Sequence, residues 1–189
     1  MSWYKRLFDI LLSVGLIVCL TPLYLAIACL VKVTSKGPIL HWSKRVGARN
    51  KLFRMPKFRS MMVDTPQLAT HLLRDPGNYL TPVGAFLRRT SLDELPQLVT
   101  IFRGDMTFVG PRPALFNQDD LVSLRTEYGV NVLVPGLTGW AQVNGRDELP
   151  IPEKVQFDRE YLLRRSLLFD LAIIGRTVFK ALAQQGVRH

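Results

Sequence analysis

One short stretch of the chain, residues 88–97, holds the side chains best suited to chemistry. It begins with two arginines and carries the adjacent acids Asp93 and Glu94. Neighbouring carboxylates can bind Mg²⁺, which prefers oxygen ligands, and a helix N-terminus beside arginines favours a bound phosphate. The same residues are typical of an ordinary helix start, because Ser91 and Glu94 have the spacing of a capping box. Taken alone, the stretch favours the ordinary helix start and leaves the catalytic interpretation open.

Two basic stretches could contact the phosphates of a substrate. In Gly110-Pro111-Arg112-Pro113 the arginine stands between two residues of fixed φ, which would hold its guanidinium in place for a phosphate. Lys57 and Arg59 could bind phosphates or lipid head groups. Each stretch also has a structural interpretation, since a rigid turn or a solvated surface carries such residues as well.

A glycine-rich stretch, residues 135–146, could recognise a base or a sugar. It combines three glycines with Gln142 and Arg146. Glycines allow the backbone to approach a ligand closely, although each of these residues is weak evidence by itself.

Several common catalytic sites are missing from the sequence. It has neither a Walker-type nor a dinucleotide-type glycine loop. Its three histidines, His41, His71 and His189, are scattered, so neither a zinc cluster nor a Ser-His-Asp triad is indicated. The chemistry must therefore come from carboxylates and guanidinium groups.

Composition limits the class of protein that positions these residues. The 189 residues include 25 Lys and Arg against 15 Asp and Glu, a net charge of +10, and 48% are hydrophobic. Such an apolar content excludes intrinsic disorder. The two cysteines, Cys19 and Cys29, lie inside an apolar run and exclude a disulfide scaffold. A basic chain with one long apolar segment is typical of a protein that works at an anionic membrane surface.

The apolar segment runs from Leu7 to Val31 and would span about 37 Å as a helix, enough to cross a bilayer core. A cleaved signal peptide is disfavoured, because the segment exceeds the usual length of such a region. A straight span and a re-entrant helix–break–helix remain, and Thr21-Pro22 near the midpoint is the candidate break. The segment alone favours the straight span.

The charge pattern indicates where the rest of the chain lies. No Asp or Glu occurs between Ile10 and Val63, whereas nine Lys and Arg do. Dense positive charge after an apolar segment is retained on the cytoplasmic side. Residues 33–189 are therefore expected in the cytosol, beside anionic lipid.

Periodicity predicts a mainly α fold with a small β-hairpin. The hairpin is expected over Gly47–Met61. Apolar spacing and end signals predict helices over residues 81–89, 91–103, 117–128, 153–163 and 166–183. Residues 103–113 and 129–150 are expected to be loops. The last helix could be a core helix or could lie along the membrane interface.

Taken together, these pieces resemble one family, the monotopic phosphoglycosyl transferases of bacteria, also called bacterial sugar transferases. The resemblance covers nearly the whole chain, which is similar to the minimal form of the family. It rests on the apolar segment with Pro22 and on ordered motifs at residues 45–47, 57–61, 91–97, 109–113 and 135–140.

The resemblance implies a function and a topology. The expected reaction transfers a sugar-1-phosphate from a UDP-sugar to undecaprenyl phosphate and releases UMP, as the first membrane step of glycan assembly. The family form implies a re-entrant membrane segment over residues 1–36, which reverses the preference for a straight span, and a compact, interface-associated catalytic domain with amphipathic helices over residues 37–189. It also implies Mg²⁺ as cofactor, the cytoplasmic face of the bacterial inner membrane as location, and no nucleic-acid partner, and it leaves self-association open.

The resemblance also assigns roles to residues. Asp93 is the expected nucleophile and forms a covalent phosphosugar intermediate, and Glu94 is a metal ligand beside Asp93 or a base. Substrate binding is expected from a set of basic and amide side chains: Lys57, Arg59, Arg88, Arg112, Gln142 and Arg146. Gln142 and Arg146 are expected near the nucleotide.

Two other functions are compatible with the residues. A membrane-anchored basic module that binds anionic lipid or nucleic acid would explain the charge, but it leaves the acidic pair without a role. A metal-dependent transferase that uses direct attack would need no covalent intermediate.

Overall fold

The computed structural model of the protein describes residues 2–66, 76–145 and 149–182. Within these ranges the chain is mainly helical and carries two small β-sheets. The helices are α1 (Trp3–Thr34), α2 (Gly84–Arg89), α3 (Gln97–Arg103), α4 (Asp119–Glu127), α5 (Trp140–Asn144), α6 (Ile151–Arg164) and α7 (Leu167–Leu182). The strands are β1 (Leu40–Val46), β2 (Leu52–Phe58), β3 (Thr107–Val109) and β4 (Gly136–Thr138). The mainly α fold with a hairpin is confirmed.

The apolar segment forms one long helix, α1, of 32 residues. Among the described residues it is the helix long and apolar enough to cross a membrane. The helix continues through Pro22, and the Thr21 hydroxyl donates to the carbonyl of Ile17 at 2.7 Å. Helical structure therefore extends across Thr21-Pro22, and the membrane break expected there stays a prediction.

Both ends of α1 are bonded to the rest of the protein. Near the N-terminus, Lys5 Nζ lies 2.5 Å from Asp170 Oδ2 on α7, and Arg6 Nη1 donates to the Ile101 carbonyl at 2.7 Å. At the other end, Arg59 Nη2 donates to the Ser35 carbonyl at 2.9 Å. One folded unit thus holds the two ends of the same long helix.

Along its length α1 also contributes to the core. Ile27 and Val31 are buried against Phe58 and Leu87. Asp9 is fully buried and accepts hydrogen bonds from the Thr107 hydroxyl at 2.7 Å and from the Phe108 amide at 3.2 Å. A buried carboxylate requires such partners, so this face of α1 is a wall of the folded unit.

The hairpin consists of β1 and β2 in antiparallel register, with Leu40 opposite Phe58 and Val46 opposite Leu52. Its turn, Ala48–Asn50, contains two non-glycine residues of positive φ, Arg49 and Asn50. The hairpin expected over 47–61 is present, but it begins earlier. Because β1 carries His41, Ser43, Lys44 and Arg45, it lacks the apolar alternation that marks a strand.

A second sheet was not predicted. Strands β3 and β4 pair in parallel, with Thr107 opposite Gly136 and Val109 opposite Thr138. They lie in the two regions expected to be loops, so that expectation is wrong in part. Three residues are too few for a periodic signal. Close approach explains the glycine at 136, since a Cβ there would lie 2.1 Å from the Gly110 nitrogen.

The acidic stretch does not form the helix start that its spacing predicts. Ser91 has φ +56°, its side chain makes no capping bond, and Leu92–Glu94 form a single 3-10 turn. The capping-box interpretation is therefore wrong. Pro96 and Gln97 follow, and α3 begins only there. Gly104, with φ +97°, ends α3 as predicted.

Helix α7 has two different faces. Ile173 and Asp170 are buried, whereas Leu168 is 80% and Phe179 69% exposed. The helix packs on the core with one side and presents large apolar side chains with the other. The core interpretation therefore describes one side, and a position of the other side along the membrane interface stays a prediction.

Candidate active site

Asp93 and Glu94 lie on the short 3-10 turn between α2 and α3. The turn is held in place by packing, because Leu92 and Leu95 contact the buried cluster around Val31 and Phe58. Ser91 enters the turn in the left-handed region, a conformation that costs free energy in a non-glycine residue. This backbone leaves Asp93 only 6% exposed.

Two cationic side chains from distant parts of the chain converge on the acids. Lys57, near the end of β2, places its Nζ 2.7 Å from Glu94 Oε1 and 3.7 Å from Asp93 Oδ2. Arg112 Nη2 lies 3.2 Å from the same Glu94 oxygen. The fold thus brings together three stretches that the sequence singled out separately, those with Lys57, with the Asp93–Glu94 pair and with Arg112.

Burial raises the pKa of Asp93 above its ordinary value. The charge of Lys57 opposes this effect, the neighbouring Glu94 carboxylate adds to it, and Arg88 and Arg112 act in the same direction as Lys57. Arg88, in the last turn of α2, therefore belongs to the electrostatic surroundings of Asp93. The ionised form of a carboxylate with a raised pKa is poorly solvated and more basic, and it is a better nucleophile for that reason.

Glu94 behaves in the opposite way. Burial alone would raise its pKa, but the charges and hydrogen bonds of Lys57 and Arg112 outweigh burial and hold the pKa well below its usual range. A carboxylate that gives up its charge so reluctantly is a poor proton acceptor near neutral pH. The geometry therefore favours a binding and orienting role for Glu94 over the role of a base.

The loop that carries Arg112 is held by its main chain. The Pro111 carbonyl accepts from the Gly136 amide at 2.9 Å, and the Pro113 carbonyl accepts from Arg45 Nη1 at 3.2 Å. The neighbouring Val46 amide donates to the Ala114 carbonyl at 2.9 Å. The expectation of a stiff loop fits this arrangement, and the contact of Arg112 with a phosphate stays a prediction.

Arg59 lies away from the acidic pair, at the C-terminal end of α1. Its side chain is 4% exposed and donates to the carbonyls of Ser35 and Lys36 and to the Ser35 hydroxyl. This guanidinium binds the C-terminal end of α1. The expected phosphate or lipid contact of Arg59 does not fit that position, because its side chain is buried and both Nη atoms donate to the helix end.

Of the two residues expected near a nucleotide, Gln142 and Arg146, only Gln142 lies within the described residues. Gln142 lies on α5, and neither polar atom of its buried carboxamide has a hydrogen-bond partner among the residues that the structure describes. Its Oε1 would lie 2.5 Å from a Cβ built on Gly139. Arg146 falls outside the described residues. Their expected contact with a nucleotide stays a prediction.

Sequence reasoning missed a buried ion pair behind the Arg112 loop. Arg125 on α4 donates to Asp158 Oδ2 on α6 through Nε at 2.9 Å and through Nη2 at 2.7 Å. A signal was present in the spacing. Arg125 follows the buried Leu121 by four residues and Asp158 follows the buried Val155 by three, so both charges fall on inward helix faces.

The acidic pair suits a divalent cation only together with a substrate. Among the residues that the structure describes, no group of three or more His, Cys, Asp or Glu could hold a metal ion. Mg²⁺ is commonly bound by one or two carboxylates together with phosphate oxygens and water. Asp93 and Glu94 would supply the two carboxylates, and a Mg²⁺ ion at this place stays a prediction.

Comparisons with known proteins agree with the geometry. The family model described as bacterial sugar transferase matches residues 1–184. The exopolysaccharide production protein ExoY of Sinorhizobium fredii is 35% identical, over 92% of this chain and 83% of its own length. The UDP-glucose:undecaprenyl-phosphate glucose-1-phosphate transferase of Escherichia coli is 41% identical, over 93% of this chain but 39% of its own length. The undecaprenyl-phosphate galactose phosphotransferase of Salmonella typhimurium is 35% identical, over 96% of this chain and 41% of its own length.

Proposed function

This chain belongs to the bacterial sugar transferase family, and from that membership we propose that it transfers a sugar-1-phosphate from a UDP-sugar to undecaprenyl phosphate and releases UMP. The observation that carries the proposal is a buried carboxylate, Asp93, surrounded by Lys57, Arg88 and Arg112. Such a group can both hold a phosphorylated donor and attack it. The names of the Escherichia coli and Salmonella relatives support the donor and the acceptor.

The transfer proceeds in two displacements on the same phosphorus atom. An Asp93 carboxylate oxygen attacks the phosphorus that bears the sugar, the bond from that phosphorus to the oxygen of UMP breaks, and UMP leaves. The product is an acyl phosphate that joins Asp93 to the phosphosugar. A phosphate oxygen of undecaprenyl phosphate then attacks the same phosphorus and releases the carboxylate. Splitting the reaction allows one site to serve a soluble donor and then a lipid acceptor.

The charged side chains around Asp93 stabilise the negative charge that the reaction moves. Lys57 and Arg112 lie close enough to stabilise negative charge on the phosphoryl oxygens as UMP departs. Glu94 keeps these two cations beside Asp93. The acceptor needs no base, since a phosphate monoester is largely dianionic at neutral pH, with a second pKa of about 6. Mg²⁺ held by Asp93 and Glu94 would neutralise charge on the donor pyrophosphate.

We further propose that α1 enters the membrane and returns to the same face, with the site on the cytoplasmic side. Bonds from one folded unit to Lys5, Arg6 and Ser35 support this topology. A straight span would require the folded unit to extend from one membrane face to the other. The exposed apolar side chains of α7 add a second surface suited to lipid.

The decisive experiment is single-turnover release of UMP from a panel of UDP-sugars, with Mg²⁺ and without acceptor. The covalent route predicts about one UMP per active site and a phosphosugar adduct on Asp93, identified by mass spectrometry. Asp93→Asn should abolish both release and adduct, whereas Asp119→Asn, on the exposed start of α4, should leave both unchanged.

The other outcomes separate the competing functions. UMP release that occurs only after undecaprenyl phosphate is added would indicate direct attack and remove the nucleophile assignment. No release from any donor, with lipid binding retained, would indicate a membrane-binding module and would overturn the enzymatic proposal.

A further inference from the structure

The carbonyl of Arg112 itself is bonded by Arg125. In the loop Gly110–Pro113, three successive carbonyls accept hydrogen bonds from three different elements: Pro111 from β4, Arg112 from α4 and Pro113 from β1. The bond to Arg112 comes from Arg125 Nη1 at 2.8 Å. Because proline has no N–H, the loop has few donors of its own and depends on these external ones.

The donor of that bond is fixed from behind. Arg125 is 8% exposed, and its two remaining donor positions are directed at Asp158, which is 1% exposed on α6. Buried charges that are paired and hydrogen-bonded hold a defined geometry, and breaking the pair leaves an uncompensated charge. A connected series of polar contacts therefore runs from Asp158 through Arg125 to the Arg112 main chain, and from the Arg112 side chain to Glu94.

We propose that Arg125 and Asp158 are positioning residues for Arg112, which set the direction of its guanidinium toward the acidic pair and the donor phosphates. This inference rests on the proposed function. Neither residue touches the reacting atoms, and both act through the Arg112 carbonyl. Arginine suits this task because its planar fork divides its donors between a carboxylate and a carbonyl.

The proposal predicts that Arg125 matters to catalysis only through Arg112. Arg125→Lys keeps a positive charge for Asp158 but has a single ammonium in place of the fork, so the carbonyl bond is lost while the ion pair remains. We expect the melting temperature to stay close to that of the wild type. The kcat/KM for the UDP-sugar should fall about tenfold, and the same parameter, kcat or KM, should change as in Arg112→Met.

A double-mutant cycle makes the test specific. In an Arg112→Met background, Arg125→Lys should lower kcat/KM by less than about twofold, since the group that it positions is already absent. Asp158→Asn is the second variant should Arg125→Lys fold poorly. Its effect on kcat/KM should likewise almost disappear in the Arg112→Met background. Ile173→Ala, fully buried on α7, is the matched control for lost stability, and its effect should be equal in both backgrounds.

Wild-type UMP release is measured first, so that a failure of the proposed function is seen before the cycle begins. A tenfold loss from Arg125→Lys in both backgrounds would show that the pair acts independently of Arg112 and would overturn the inference. Normal kcat/KM in Arg125→Lys or in Arg112→Met would overturn it as well.

Discussion

At the acidic pair, one lysine affects two carboxylates in different ways. Lys57 is bonded to Glu94 and stands 3.7 Å from Asp93. Its charge keeps Glu94 ionised throughout the neutral range and partly offsets the rise that burial causes in the pKa of Asp93. The reactive state of the site, with Asp93 ionised, therefore depends on Lys57.

Replacing Lys57 by methionine should move the acid side of the pH–rate profile to higher pH. Without the ammonium, burial and the Glu94 charge raise the pKa of Asp93 further, so that Asp93 loses its proton only at higher pH. The measurement is the rate of single-turnover UMP release from mildly acidic to alkaline pH. Lys51→Met, exposed just after the hairpin turn, is the control and should leave the profile unchanged. An unshifted acid side in Lys57→Met would contradict the assignment of that limb to Asp93.

Residue type indicates much of the candidate site, but not the buried Arg125–Asp158 pair behind the Arg112 loop. Taken alone, the stretches with Asp93, Glu94, Lys57 and Arg112 each have a structural interpretation as well, and it is their combination, with the family resemblance it carries, that indicates a site. The partner of Arg125 is 33 residues away on another helix, and only the packing of α4 against α6 makes the two charges neighbours. The sequence likewise indicates phosphates or lipid head groups as partners of Arg59, because it does not reveal the open carbonyls at the end of α1.

At the scale of elements, the end of α1 is completed by a side chain from outside the helix. The last carbonyls of a helix have no partners within it, and Arg59 supplies donors to those of Ser35 and Lys36 just beyond Thr34. This bond joins α1 to the segment that follows β2, only two residues beyond Lys57 of the site. The end of the helix and the active-site lysine are therefore placed by one short stretch of chain.

Arg59→Met should destabilise the protein without a specific effect on donor binding. The loss of several buried hydrogen bonds to a charged donor is expected to cost about 2–4 kcal/mol. Thermal unfolding in detergent measures the change, and Arg54→Met, exposed on β2, provides the control on the same stretch. An unchanged melting temperature with a raised KM for the UDP-sugar would instead support the role in substrate binding that the sequence suggested.

Short strands set the limit of prediction at this scale. The long helices were predicted because apolar spacing over many residues gives a clear period. Strands β3 and β4 have three residues each and end at glycines and prolines, which are normally signs of a loop. Their pairing depends on the close approach of Gly136 to Gly110, a contact that no local pattern shows.

For the molecule as a whole, the attachment of α1 at both ends determines how the protein can meet a membrane. Lys5 and Arg6 hold one end to α7 and α3, and Arg59 holds the other. The side chains between them that are apolar and exposed, such as Leu11 at 64% and Val18 at 69%, form a surface suited to lipid. With a net charge of +10, the protein is also attracted to anionic head groups.

Cysteine labelling should place the two ends of α1 on the same side. In a background with Cys19→Ala and Cys29→Ala, we expect single cysteines at Ser2→Cys and Lys36→Cys to resist a membrane-impermeant maleimide in intact spheroplasts. Both should react after lysis, because the proposed topology keeps both ends in the cytoplasm. A periplasmic protein with a free cysteine confirms that the reagent works before lysis. Labelling of position 2 alone in intact spheroplasts would indicate a straight span and overturn the re-entrant proposal.

The burial of α1 residues beside Phe58 and Leu87 has a practical consequence for preparing this protein. Deleting the apolar N-terminal helix, a common route to a water-soluble fragment, would here remove part of the hydrophobic core. It would also leave Thr107 without its carboxylate partner, Asp9. The remainder would expose fresh apolar surface and aggregate. Detergent micelles or nanodiscs around the intact chain are therefore the appropriate setting for purification and assay.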